Sequence, residues 1–221
     1  LSNFLKDSLN LLIINSLIII SLYYISNLGN DNSLFTSIGL RFTLLFNVIL
    51  AAVFTSIFMP FINKDNYKSL SILINCIILL CLLSLILTIL SSLIFNQIIY
   101  ISSNSNITSD IIHIFNSFKL LLPIIPLSIA VNLFFKYFII KYETNKFIFI
   151  CLIAAILFIF MLEINPTNSS YFILKFLATA FSLIILSSIF IIPANNLQKI
   201  FTLIIIICFL TITFFDINIY L

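Results

Sequence analysis

LSILINCIILLCLLSLILTILSSLIF, residues 70–95, runs for 26 residues without one charged side chain. About 20 apolar residues suffice to cross the roughly 30 Å hydrocarbon core of a bilayer, and lipid offers no water to free backbone groups. A stretch of this length and composition therefore reads as a transmembrane helix. The whole chain agrees with it. Of 221 residues, 62% are hydrophobic and 8% are charged, with a mean hydropathy of +1.29. A soluble domain carries about 25% charged residues. Lipid must supply part of the solvent.

The same ruler marks seven spans, at about 9–28, 34–62, 70–95, 111–140, 147–162, 171–192 and 200–215. Polar punctuation separates them: NLGNDNS, NKDNYKS, SSNSNITSD, KYETNK, EINPTNSS and PANNLQK. The expected fold is an all-α polytopic transmembrane bundle. Residues 1–192 make a six-span lobe, and 193–221 a cytoplasmic loop plus a seventh span.

Charge placement orients these spans. Lys6, Lys64, Lys68, Lys141, Lys146 and Lys199 fall at the N-terminus and in the second, fourth and sixth loops. The alternate loops and the C-terminus hold no lysine and carry Asp31, Asp110, Glu163 and Asp216. Lysine-rich loops stay on the cytoplasmic side, which gives an N-in, C-out chain. A net charge of +3 is too small to argue for nucleic acid. The expected partner is the bilayer itself, in a bacterial inner membrane or, alternatively, an organellar one.

Four basic residues fall inside spans. Lys136 is close enough to the inner end of its helix to snorkel there. Arg41, Lys119 and Lys175 all fall in the outer half, the first two about 10 Å below the outer ends of their spans at 1.5 Å per residue. Either each reaches alone for the outer headgroups, or they converge on a hydrated cavity that attracts an anion such as a pyrophosphate headgroup. A third alternative pairs Arg41 with an acid on a neighbouring subunit. Asn15, Thr43, Asn47, Asn75 and Asn132 either line such a cavity or hydrogen-bond between helices. Arg41, Lys119, Lys175 and Asn47 make up the candidate anion-binding set. Pro123 and Pro126 each remove a helix hydrogen bond, which predicts a kink, either one that opens a cavity or an inert proline bend.

Catalytic chemistry finds no footing. No Ser-His-Asp arrangement is present, and His113 with Asn116 reads as interfacial rather than ligating. Cys76, Cys81, Cys151 and Cys208 lie in apolar runs without metal-ligand spacing and read as packing residues. No cofactor is expected, and no enzymatic activity.

Two stretches resemble a known family. AAVFTSIFMP, with Phe54, Phe58 and Pro60, is similar to the second-span signature of MurJ-type lipid II flippases, in the multidrug/oligosaccharidyl-lipid/polysaccharide (MOP) exporter superfamily. LLLPIIPLSIAVNLFFKYFIIKYETNKFIF looks like that family's fourth span and the short cytoplasmic loop after it. The resemblance implies a flippase of peptidoglycan biosynthesis that moves a lipid-linked pyrophosphate sugar by alternating access. The family's cavity arginines are not reproduced, Arg41 occupies none of their positions, and the seven spans read as one lobe plus the first helix of the next, a truncated fragment or a degenerate copy. A partner lobe would complete it. The alternative is a non-catalytic integral-membrane subunit of a larger complex.

Overall fold

The structure is a computed structural model that describes residues 15–28, 34, 36–45, 49, 53, 56–57, 67–103, 109–141, 143–164 and 170–215. Every regular element among them is helical. We label them α1 (Asn15–Ser26), α2 (36–45, with further helical residues at 34, 49, 53 and 56–57), α3 (Tyr67–Ser103), α4 (Ser109–Ile140), α5 (Thr144–Ile164), α6 (Ser170–Ile191) and α7 (Asn196–Phe215). Five of them, α3 to α7, are long and apolar enough to cross a membrane. The described part of α1 is shorter than a span, and nearly half of the expected second span lies outside the described residues.

Burial separates the helices into a centre and a periphery. In α4 and α6, 78% and 72% of the spanning window is buried inside the molecule, against 39% in α3, 33% in α5 and 28% in α7. The helices α3, α4, α6 and α7 pack in a ring, each against the next, and α5 lies outside against α6 and α4. Phe134, Phe138, Phe181 and Ile184 are fully buried at the centre. The peripheral helices carry their large apolar side chains on the outside instead: Phe149, Ile156 and Phe160 on α5, Leu79 and Ile94 on α3, Leu197 and Ile204 on α7. Exposed apolar surface on this scale is foreign to a water-soluble monomer and is what a lipid solvent permits.

Local chemistry sets the turns. Pro193 has no N–H to continue α6, and Ala194 N–H closes a tight turn onto the Ile192 carbonyl at 2.7 Å. Asn195 then caps α7: its carbonyl accepts from Lys199 N–H at 3.1 Å, and the Gln198 side-chain oxygen reaches back to Asn195 N–H at 3.3 Å. The Gln198 contact is one arm of a capping box. Between α4 and α5 the chain reverses in a few residues, with Glu143 N–H donating to the Phe138 carbonyl at 2.9 Å. Phe147, in the first turn of α5, packs back on Phe135 and Phe138 with ring centroids 5.8 and 5.4 Å away.

Side-chain contacts tie helix ends together in an alternating sense. Gln198 Nε2 donates to Asn75 Oδ1 at 2.8 Å, which joins the starts of α7 and α3. At the opposite end Tyr24 Oη donates to Glu163 at 2.6 Å, joining the ends of α1 and α5, and Thr36 Oγ1 bonds Ser170 Oγ at 3.3 Å, joining the starts of α2 and α6. Gly39 lets α2 approach α4 closely, because a Cβ there would fall 2.4 Å from Leu121 Cδ1. Lys141, Lys146 and Lys199 all belong to the first of these ends, and Glu163 to the second.

Candidate functional site

The three cations in the outer half of their spans fall into two kinds by burial. Lys119 is 8% exposed and Lys175 3% exposed, on the two central helices α4 and α6, which pack against each other. Arg41 is exposed. Its helix α2 buries Thr36, Leu40 and Thr43 on one stripe and exposes Ile38, Phe42 and Leu45 on the other, and Arg41 belongs to the exposed stripe. Arg41 does not share the buried face of its helix: one residue past Leu40, a helix has already turned about 100° away from it. Asn47 lies outside the described residues, as do the side chains of His113 and Asn116.

Lys175 sits one turn into α6, and its ammonium is held among rings. Nζ lies 4.4 Å from the Tyr171 ring centroid, 5.5 Å from Phe172 and 6.0 Å from Phe214 at the end of α7. Tyr171 is the residue four positions earlier, so the side chain runs back toward the helix start, the ordinary direction for a long helical side chain. Each such ring contact stabilises a cation by about 0.5–2 kcal/mol, more as water is excluded. The lysine is thus enclosed by protein and not spread on the lipid-facing surface.

A polar seam lines the α3–α4 contact. Ser84, Thr88, Ser91 and Ser92 recur at helical spacing on α3 and are all buried. Ser84 Oγ donates to the Pro123 carbonyl at 2.9 Å, and Ser91 Oγ to the Lys119 carbonyl at 3.1 Å. The second carbonyl is the one to which residue 123, being proline, donates no N–H from four positions on. Helix α4 runs unbroken through both prolines, and the Ser91 hydroxyl supplies the Lys119 carbonyl with the donor that Pro123 withholds. Asn75 and Asn132 take up hydrogen bonds as well, Asn75 from Gln198 and Asn132 by donating to the Ser128 carbonyl at 3.1 Å. Thr43 donates to the Gly39 carbonyl at 2.9 Å.

Three features were not singled out from the sequence: the α3 hydroxyl seam, the Gln198 clasp and the Tyr24–Glu163 bond. The seam had a usable signal, because hydroxyls at 84, 88, 91 and 92 share one face of a helix. The other two join residues more than 120 positions apart, and nothing local announces them. Among the described residues no group of His, Cys, Asp and Glu could hold a metal ion. Compared with known proteins, the chain matches no family model, no curated protein and no solved structure.

Proposed function

We propose that the protein is a membrane transporter for an anionic, lipid-linked substrate, with Lys119 and Lys175 holding the anionic headgroup. The observation that carries this is their enclosure within the two central helices. Ionisable residues inside a membrane bundle are expensive and mark substrate or ion pathways by default. The lysine-bearing end, with Lys141, Lys146 and Lys199, faces the cytoplasm on the positive-inside rule, so the two enclosed lysines serve the far half of the membrane. The finer reading is a flippase of the MurJ type in a bacterial inner membrane. It rests on the AAVFTSIFMP and LLLPIIP stretches, and it needs a second lobe against which this one rocks to expose the site to each face in turn.

A second reading has its own observation. Arg41 on the exposed stripe of α2, among Ile38, Phe42 and Leu45, suits a non-catalytic subunit whose arginine meets an acidic residue of a neighbouring chain. The two readings part on the same set of variants. In proteoliposomes with a fluorescent polyprenyl-pyrophosphate sugar and an impermeant quencher, the transporter reading expects Lys119→Met and Lys175→Met to slow movement at least about tenfold, the worth of one charge-assisted bond. Arg41→Met then moves lipid like the wild type. Lysine variants as fast as the wild type would remove the transporter reading. Arg41→Met that sheds a stoichiometric partner in mild detergent would establish the subunit instead.

A further inference from the structure

Ser91 has one hydroxyl hydrogen and two carbonyls within reach at the same distance. Its Oγ lies 3.1 Å from the Thr88 carbonyl of its own helix and 3.1 Å from the Lys119 carbonyl of α4. The residue is 3% exposed, so water cannot easily take up the acceptor that is left. On α4 the Lys119 carbonyl lacks its usual donor because residue 123 is proline, and the Leu122 carbonyl lacks its own because residue 126 is proline. Two backbone bonds are therefore missing from adjacent turns, at the place where a helix bends most easily. Below that place Ser84 holds the Pro123 carbonyl at 2.9 Å.

We propose that α4 bends at Pro123–Pro126, with Ser84 as the fixed anchor and Ser91 as a two-position latch. With the Ser91 hydrogen on the Lys119 carbonyl, the arm of α4 before Pro123 is fastened to α3. When that hydrogen swings to the Thr88 carbonyl, Ser91 remains satisfied within its own helix and the arm is released. The exchange trades one bond for another on the α3 side, so the donor itself opposes it little. Lys119 is the residue whose carbonyl is latched, and release shifts it relative to Lys175 on α6. That consequence for substrate handling rests on the function proposed above; the latch itself does not.

Hydrogen exchange of the full chain in lipid nanodiscs, read by mass spectrometry over the α4 arm up to Leu122, tests the latch without any transport assay. Ser91→Ala is expected to speed exchange in the arm by about three- to tenfold, the range set by one net hydrogen bond, whereas Ser91→Thr keeps the hydroxyl and leaves it unchanged. Pro123→Ala restores an intrahelical donor to the Lys119 carbonyl, slows exchange, and abolishes the effect of Ser91→Ala in the double variant. An equal effect of Ser91→Ala in both proline backgrounds would overturn the proposal. So would no effect of Ser91→Ala in the wild-type background, which remains readable should the proline variant fail to fold. Exchange as expected, with transport indifferent to Lys119→Met, would leave the hinge standing and refute the anion site alone.

Discussion

Lys175 and Arg41 carry the same charge in comparable positions along their helices, yet the fold gives them opposite surroundings. Arg41 faces outward beside Phe42 and Leu45, where its side chain can reach headgroups. Lys175 is enclosed by Tyr171, Phe172 and Phe214. Replacing a buried charged group together with its partners by apolar residues of similar volume is often neutral or stabilising, whereas removing one member alone is destabilising. Lys175→Met, which also gives up the ring contacts, should accordingly melt below the wild type in thermal denaturation in detergent. A melting temperature equal to that of the wild type or higher would mean instead that the lysine contributes nothing to stability.

At the scale of elements, one side chain couples a cap to a packing contact. Gln198 closes the capping box of α7 through its oxygen and clasps Asn75 of α3 through its nitrogen. Gln198→Leu removes both and should cost about 1–2 kcal/mol, as lost caps and single hydrogen bonds do. Gln198→Glu keeps the acceptor for Asn195 N–H and loses the donor to Asn75, so chemical denaturation should place it between the leucine variant and the wild type. A glutamate variant as unstable as the leucine one would show that the clasp contributes everything and the cap nothing. This coupling explains where the sequence reading fell short. The apolar run 70–95 coincides with the window that spans in α3, because nothing polar interrupts it. The fifth and seventh spans were drawn too short at their starts, because Thr144–Lys146 and Asn196–Lys199 are polar and yet form the first turns of α5 and α7. Helices begin at their caps, not at the first apolar residue.

For the whole molecule, class was legible and facing was not. Composition points to lipid as solvent, and five of the described helices are long and apolar enough to cross a membrane. Which residues lie inside is a different matter. A transmembrane helix is apolar all round, so its periodicity has little contrast and cannot say which face turns inward. That is why Arg41, Lys119 and Lys175 looked alike in the sequence, and why only the packing of α4 against α6 tells them apart.

The account depends on enclosed lysines meeting an anion while the outward arginine does not. The most direct measurement is the affinity of the chain in nanodiscs for a short-chain isoprenyl pyrophosphate, compared across Lys119→Met, Lys175→Met and Arg41→Met. The expected result is binding weakened at least about tenfold by either lysine change and unaltered by the arginine change, since one charge-assisted contact is worth about 1.5–3 kcal/mol. Saturable binding lost only with Arg41→Met, or equal binding by all three variants and the wild type, would contradict it.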